Sequence, residues 1–207
     1  LYAELTRGIE DIATMYRYNI ILANSDQNEQ KELELLNTML GKQVDGIVIM
    51  SDHVTDAVAQ IINNSPVPII LAGSIADNTQ TASVNIDYFQ AVYEAINVFI
   101  EKGHKHIAFV SGPLEYTING QYKLLAYKKA LQDAGIELNE AFIDSNDGTY
   151  DEAMMSWETL SSLDVAPTAI FAGSDEIAIG LVHGALDAGK SVPQDVEIIS
   201  FENSKLA

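Results

Sequence analysis

The amino-acid sequence predicts an α/β fold with two lobes, in which helices flank parallel sheets. Short apolar runs alternate with amphipathic segments from residue 19 to residue 203. Unbroken apolar runs of this kind are typical of parallel strands that helices cover on both faces. Each run ends on small or polar residues, and open α/β sheets bind ligands at the carboxyl ends of their strands. The pattern therefore predicts the fold class and also the edge of the sheet at which a ligand binds.

In the first part of the chain, four helices are predicted to alternate with four strands. The first helix has an apolar face, which needs a sheet beside it. Asp26 followed by Glu29 resembles a capping box and predicts the start of the second helix. The predicted helices are residues 3–18, 27–40, 55–63 and 88–102, and the predicted strands are residues 19–25, 46–50, 68–74 and 83–87.

The second part of the chain is predicted to contain four more strands and three more helices. Gly103 is expected to end the helix before it in a left-handed conformation. Two successive strand-like segments near Asp87 interrupt the alternation, so we predict an N-terminal subdomain of residues 1–87 and a C-terminal subdomain of residues 88–207. The predicted strands are residues 106–112, 141–144, 169–174 and 197–203, and the predicted helices are residues 119–134, 150–163 and 175–188.

Composition restricts the classes of function. The 207 residues are 47% hydrophobic, which is enough for a sizeable core, and they include no cysteine. A net charge of −19 gives the chain no general attraction to nucleic acid or to an anionic membrane. The sequence shows no signal peptide and no apolar run as long as a membrane span. The apolar face of the first helix needs a sheet beside it, so we expect a further strand before Leu1. The last predicted strand has no helix after it to cover it, so we also expect more chain after Ala207.

Motifs for catalysis and for cofactor binding were not found. The sequence has no glycine-rich phosphate loop after a strand, and its Gly-Ser pairs lack the flanking glycines of a nucleophile elbow. The four histidines do not have the spacing of metal ligands. We therefore expect no cofactor, no metal site and no nucleophilic catalysis.

The strand ends of the C-terminal subdomain supply the candidate site residues. Ser174 and Asp175 follow one strand and open a helix, Glu202 ends the last strand, and Lys123 lies near the start of an earlier helix. Ser174 or Asp175 caps the helix in one interpretation. In the other, these residues line a cleft between the lobes and bind a polar ligand such as a sugar or a phosphosugar.

Two residues of the first helix, Asp11 and Tyr16, have two possible roles. Tyr16 continues the apolar face of the helix, which favours a place in the core. Exposed, the two side chains would instead form part of a docking surface for another protein. Periodicity alone leaves both roles open.

Several longer motifs occur in a specific order along the whole chain. They include Leu5-Thr6-Arg7-Gly8-Ile9, Val44-Asp45-Gly46-Ile47-Val48, Gly103-His104-Lys105-His106-Ile107 and Ser174-Asp175-Glu176-Ile177-Ala178. In this combination they resemble the effector-binding core of the lac repressor family. The resemblance implies a two-lobed fold like that of the type I periplasmic binding proteins. It also implies that the helix-turn-helix domain that binds operator DNA is absent from this chain.

Residues 8–16 and 36–46 resemble the branch of this family that controls carbon catabolite genes in low-GC Gram-positive bacteria. This resemblance implies a homodimeric, cytoplasmic repressor that is not an enzyme and does not contact a membrane. Its effector would be the phosphocarrier protein HPr phosphorylated on a serine, with phosphorylated sugars as weaker effectors. By position, the effector cleft would include Tyr2, Lys123, Ser174, Asp175 and Glu202, and the HPr-binding face would include Asp11 and Tyr16.

Three alternatives remain open at this stage. The chain could be the core of an ordinary sugar-responsive repressor, or a sugar-binding transport protein of the same fold. It could also be an enzyme with an active site in the cleft, for which Asp175, Glu202 and Lys123 are the plausible acid, base and cation.

Overall fold

The computed structural model describes residues 2–26, 28–51, 53–76, 79–116 and 118–204, without the side chains of Tyr2 and Ala3. The chain folds as two compact units, which divide between Ile86 and Asp87. We call the part up to Ile86 unit 1 and the part from Asp87 unit 2. Each unit contains its own parallel sheet with helices packed against it, so the predicted α/β class is confirmed.

Unit 1 is built on a sheet of three short parallel strands in the order β1-β2-β3. Ile47 of β1 pairs with Ile69 of β2, and Leu71 of β2 pairs with Ser83 of β3. The elements are α1 (Tyr2–Met15), α2 (Glu29–Gly41), β1 (Ile47–Ile49), α3 (Asp56–Asn64), β2 (Ile69–Ala72) and β3 (Ser83–Val84).

Helices α2 and α3 bury one face of this sheet. Leu36 of α2 and Val58 of α3 pack with Ile49 and Leu71 in a single apolar cluster. The side chains of neighbouring strand residues point to opposite faces, and Val48 and Ile70 are therefore 37% and 36% exposed on the other face. The expectation that helices cover both faces is wrong for the described part of unit 1.

The segment between α1 and α2 differs from its prediction. Residues 19–25 belong to neither sheet, and the side chains of Ile20, Ile21 and Leu22 are exposed. A strand depends on hydrogen bonds to a neighbour, which an apolar run alone does not provide. The cap of α2 was also wrongly predicted at Asp26, because the side chain of Asn28 accepts the backbone N–H of Lys31 at 2.9 Å.

Unit 2 is built on four parallel strands in the order β5-β4-β6-β7. Its first helix begins at the cap Asp87 and is followed by Gly103, whose φ of 92° gives the predicted left-handed end. The elements are α4 (Tyr88–Glu101), β4 (Ile107–Ser111), α5 (Leu124–Asp133), β5 (Ile143–Ser145), α6 (Tyr150–Ser161), β6 (Ala169–Ala172), α7 (Asp175–Asp187) and β7 (Glu197–Ser200).

Both faces of the central strands of unit 2 are buried, as predicted. On one face, Phe109 of β4 packs between Phe171 of β6 and Tyr127 of α5, with ring centroids 5.5 and 5.4 Å away. On the other face, the alternate strand residues pack against α6 and α7. The hydroxyl of Tyr127 donates to the backbone carbonyl of Ile107 at 2.8 Å, which satisfies this buried polar group.

Helices α6 and α7 pack closely because α7 presents two glycines to α6. A Cβ atom on Gly180 would lie 2.6 Å from the carbonyl oxygen of Tyr150, and one on Gly184 would lie 2.9 Å from the Cβ of Trp157. The indole of Trp157 is buried in this contact, and its N–H has no hydrogen-bond partner among the described residues. The absence of side chains on the two glycines is therefore what allows this approach.

The strand predicted over residues 197–203 ends at Ser200 in the structure, and two other predicted elements of unit 2 begin with a different kind of turn. The strand predicted over residues 141–144 begins with a 3₁₀ turn, Glu140–Phe142, and β5 follows it. The helix predicted over residues 119–134 begins with a π-helical turn, Ile118–Lys123, and becomes α-helical only at Leu124. No helix in the described part of the chain is long and apolar enough to cross a membrane.

Candidate functional site

The carboxyl edge of the unit 2 sheet gathers four of the predicted site residues. Ser174 and Asp175 follow β6, Glu202 follows β7, and Lys123 ends the π-helical turn. Direct contacts connect the strand ends, because Lys123 bonds to the residue after β6 and Asp175 bonds to the segment after β7. We call these four residues with Gly173 and Phe201 the edge cluster.

Lys123 is the cation of the edge cluster, and its side chain is only 7% exposed. Its Nζ donates to the carbonyl oxygen of Gly173 at 3.0 Å and lies 4.3 Å from the centre of the Phe201 ring. Burying an ammonium group is costly unless polar partners replace water. The carbonyl and the ring face both supply negative potential, so the structure compensates part of this cost at a defined position.

Ser174 and Asp175 form the start of α7. The Ser174 hydroxyl accepts the backbone N–H of Ile177 at 3.3 Å and is the cap of the helix. The Asp175 carboxylate is 3% exposed and is turned inward, where it accepts the Ser200 hydroxyl and, at 2.7 Å, the backbone N–H of Ser204. Ser174 thus has the capping role, while Asp175 fixes the segment after β7.

The hydrogen bonds to Asp175 change its acidity. Burial acts to raise the pKa of this carboxyl, but the bonds from Ser200 and Ser204 outweigh burial and hold the pKa below its ordinary value. The ionised carboxylate is therefore the form that the folded protein favours.

This lowered pKa predicts a change in stability at acid pH. The unfolded chain binds the proton more tightly than the folded one, so the stabilisation is present above the ordinary aspartate pKa of about 3.9 and is lost as the pH falls through the lower folded pKa. Replacing Asp175 with asparagine is expected to lower the free energy of unfolding at neutral pH, and the difference from wild type should shrink below about pH 5. Urea unfolding of the intact protein at several pH values measures it, and a difference that stays constant down to pH 3 would contradict the prediction.

Glu202 is the exposed carboxylate of the edge cluster. One of its oxygens accepts the backbone N–H of Asp175 at 3.4 Å, at the amino end of α7, where the helix dipole favours a negative charge. The cluster thus presents a cation, an exposed carboxylate and a helix-capping hydroxyl at one edge. Such groups bind a polar ligand through hydrogen bonds and charge. The described residues contain no group of three or more His, Asp or Glu side chains that could hold a metal ion.

The sequence interpretation missed several residues at this edge. Phe201 lies under the ammonium of Lys123, and Ser111 at the end of β4 has a fully buried hydroxyl with no hydrogen-bond partner among the described residues. Ser111 also limits residue 173 to glycine, because a Cβ there would lie 2.8 Å from the Ser111 Oγ. The sequence could have indicated Ser111, because this residue stands at the end of a predicted strand. Nothing in the sequence indicates the contact of Phe201 with Lys123.

Unit 1 has a polar row at the corresponding edge of its own sheet, which sequence reasoning also missed. Ser51, Ser74 and Asn85 follow β1, β2 and β3. The Ser74 hydroxyl accepts the backbone N–H of Ser51 at 2.9 Å, and the Ser74 carbonyl accepts the Asn85 amide at 2.9 Å. Ser51 and Ser74 stand at the ends of apolar runs, which was the signal that could have identified them, whereas Asn85 follows only the short stretch Ser83-Val84.

Of the remaining predicted residues, Asp11 lies in α1 and Tyr16 follows the last residue of that helix. Tyr16 is 69% exposed and Asp11 is also exposed, so the interpretation of Tyr16 as a core residue is wrong. Their exposure leaves both side chains available to a partner protein. The side chain of Tyr2 lies outside the described residues, and its assignment to the effector site stays a prediction.

Comparisons with known proteins identify close relatives. Catabolite control protein A of Priestia megaterium is 54% identical over 206 residues, which are 100% of this chain and 62% of that protein. The protein of the same name from Staphylococcus xylosus is 42% identical over 99% of this chain and 61% of its own length. The solved structure of the transcription regulator CcpA of Lactococcus lactis has a TM-score of 0.91 and 38% identity, and the match covers 98% of this chain and 74% of that chain.

One family accounts for almost the whole sequence. The family described as periplasmic binding proteins and sugar binding domain of LacI family matches residues 1–205. The chain spans 62% of the length of the Priestia megaterium relative, so it corresponds to a part of that protein. Sequence, fold and relatives agree with the resemblance drawn from the motifs: the chain belongs to the LacI family of sugar-binding domains and periplasmic binding proteins, and within it is similar to catabolite control protein A.

Proposed function

We propose that this chain is the regulatory and dimerising core of a transcription regulator that represses carbon catabolite genes. The observation that carries the proposal is the edge cluster, in which a buried ammonium is held beside a helix start and an exposed carboxylate. We expect such an edge to bind a polar effector, for whose anionic group the Lys123 ammonium supplies the positive charge. The names of the relatives supply the regulatory context.

The effectors that we propose are serine-phosphorylated HPr and phosphorylated sugars. Lys123 supplies the positive charge for a sugar phosphate at the edge cluster, where Ser174 and Glu202 would contribute further contacts. HPr is assigned to a different surface, which is formed by the exposed side chains of Asp11 in α1 and of Tyr16 directly after that helix. Effector binding would shift the balance between two conformations of the dimer, and only one of them would favour operator DNA.

The charge of the chain supports the assignment of effector response and DNA binding to different domains of the whole protein. At −19, these residues repel a DNA backbone, so operator contact is assigned to a helix-turn-helix domain outside this sequence. We assign the two predicted subdomains, residues 1–87 and 88–207, to effector response and dimerisation in a cytoplasmic protein that catalyses no reaction.

Replacing Asp11 or Tyr16 with alanine is expected to weaken binding of serine-phosphorylated HPr. A buried tyrosine anchor at an interface is typically worth 2 kcal/mol or more, which corresponds to about 30-fold in the dissociation constant. Both side chains are exposed, so their loss should leave the fold intact. Calorimetric titration of the intact protein therefore measures the change in affinity itself.

The controls are unphosphorylated HPr and the variant Asp187→Ala, which removes an exposed carboxylate from the end of α7 in unit 2. Unchanged affinity in both the Asp11 variant and the Tyr16 variant would reject the assigned surface. No binding of phosphorylated HPr by wild type, together with tight sugar binding, would instead identify an ordinary sugar-responsive repressor.

A further inference from the structure

The last residue of β7 and the four residues after it, residues 200–204, form a segment that is attached to the start of α7 through Asp175. One carboxylate oxygen accepts the Ser200 hydroxyl, and the other accepts the backbone N–H of Ser204 at 2.7 Å. The backbone N–H of Asp175 in turn donates to Glu202 at 3.4 Å. Three bonds across a stretch of five residues hold this segment in one conformation. Since both carboxylate oxygens of Asp175 already accept hydrogen bonds from this segment, the role of the side chain is to hold the segment.

Phe201 lies in the middle of this segment and is fixed by other rings. It stacks on Tyr88 with centroids 5.9 Å apart and meets Phe171 edge-on at 6.2 Å. Tyr88 begins α4 and Phe171 lies in the central strand β6, so two rigid elements determine the plane of the ring. The face of the ring is the surface over which the Lys123 ammonium lies, 4.3 Å from the centroid.

We propose that Asp175 and Phe201 are positioning residues for Lys123. Asp175 fixes the segment, and Phe201, carried by that segment, holds the ammonium at the edge where the effector binds. Neither side chain contacts the effector in this arrangement. The inference rests on the proposed function, since it assumes that an anionic effector binds at the edge cluster.

Holding the Lys123 side chain in place before the effector binds should raise affinity, an effect known as preorganisation. A lysine side chain has four rotatable bonds, and ordering it when a ligand binds lowers affinity. The Gly173 carbonyl fixes one direction of the ammonium, and the ring face restrains it from a second side. Leucine at position 201 would keep an apolar contact but lacks the negative face of an aromatic ring, whereas tyrosine keeps that face.

A double-mutant cycle tests the proposal in the intact protein, with fructose 1,6-bisphosphate as the probe and calorimetry as the measurement. Phe201→Leu is expected to weaken binding by about 2- to 30-fold, the range of a cation–π contact from exposed to desolvated sites. Phe201→Tyr should restore the affinity of wild type. In the Lys123→Met background, Phe201→Leu should have no further effect, because the group that it positions is gone.

Each outcome has a distinct meaning. If wild type binds the probe and Phe201→Leu binds it equally well, the positioning role is rejected. If Phe201→Leu weakens binding equally in the Lys123→Met background, the ring acts only through general packing, and the role is rejected as well. No binding of the probe by wild type rejects the proposed sugar-phosphate site itself, and with it this role.

Thermal unfolding confirms that each variant is folded, and Phe201→Met replaces Phe201→Leu if the leucine variant does not fold.

Asp175 is tested by the rate at which Lys123 reacts with an amine reagent, measured by peptide mass spectrometry on the intact protein. Asp175→Ala releases the segment and is expected to raise this rate, as Phe201→Leu should. The reaction rate of Lys128 serves as the internal reference. Lys128 lies on the surface of α5, and its ammonium pairs with Glu140. A Lys123 rate that stays at the wild-type value in folded Asp175→Ala would overturn the role given to Asp175.

Discussion

Replacement of Gly120 by alanine is expected to destabilise unit 2 and to abolish most binding of an anionic effector. A Cβ atom at this position would lie 2.0 Å from the carbonyl oxygen of Leu114 and 3.1 Å from its carbonyl carbon. A backbone group cannot rotate away as a side chain does, so the π-helical turn that ends at Lys123 must rearrange. Overpacking of this kind typically costs about 1–3 kcal/mol. The same rearrangement moves the ammonium from Gly173, which is why binding is also lost.

Gly8→Ala is the matched control for this change. Gly8 also lies in a helix, α1, but apart from its chain neighbours and the backbone of its own helix, no atom of the described residues lies within 4 Å of the position that its Cβ would occupy. Alanine there should leave stability unchanged or raise it by up to about 1 kcal/mol through helix propensity. Denaturant unfolding and titration with fructose 1,6-bisphosphate, both on the intact protein, measure the two effects. A Gly120→Ala protein with the stability and affinity of wild type would contradict the steric argument.

Replacement of Phe109 by alanine is expected to cost about 3–5 kcal/mol of the free energy of unfolding. Phe109 is fully buried in the central strand β4, where its ring packs between Phe171 and Tyr127. Removing the ring leaves a cavity between β4, β6 and α5, and close-packed neighbours relax into such a cavity only in part. A loss of this size is a large fraction of the stability of a typical domain.

Val48→Ala is the comparison for the Phe109 variant. Val48 is also an apolar residue in the middle of a parallel strand, but it is 37% exposed on the open face of β1. Its truncation should cost less than about 1 kcal/mol, because little buried contact is lost. Equal losses for the two variants, measured by denaturant unfolding, would indicate that the open face of the unit 1 sheet is covered in the intact protein.

The fold was predictable where apolar runs are buried on both faces. Strand β4 is fully buried along its length, and its run of Ile107, Ala108, Phe109 and Val110 gave a reliable prediction. Residues 19–25 include an equally apolar run, but they join no sheet in the described chain. The difference lies in the partner strand, because pairing with a neighbour is a tertiary property that a local pattern does not contain.

The location of the candidate site was predictable, but the roles of its residues were only partly so. The rule that ligands bind at strand ends predicted Ser174 and Glu202 at one sheet edge, and the structure has both there in the unit that also holds Lys123. Their role in binding a ligand stays a prediction. The inward turn of Asp175 depends on Ser200 and Ser204, which are 25 and 29 residues away in the chain. The π-helical turn likewise depends on the approach of Leu114 to Gly120, and helical periodicity carries no signal for it.

The close contact of α6 with α7 gives the chain a built-in optical reporter. Trp157 is the single tryptophan of the 207 residues, and it lies buried against Gly184 wholly within unit 2. Tryptophan fluorescence of this chain therefore reports whether unit 2 is folded, and unit 1 contributes no tryptophan signal. Unfolding followed by indole fluorescence, set beside unfolding followed by circular dichroism, would show whether the two units lose their structure in one step or in two.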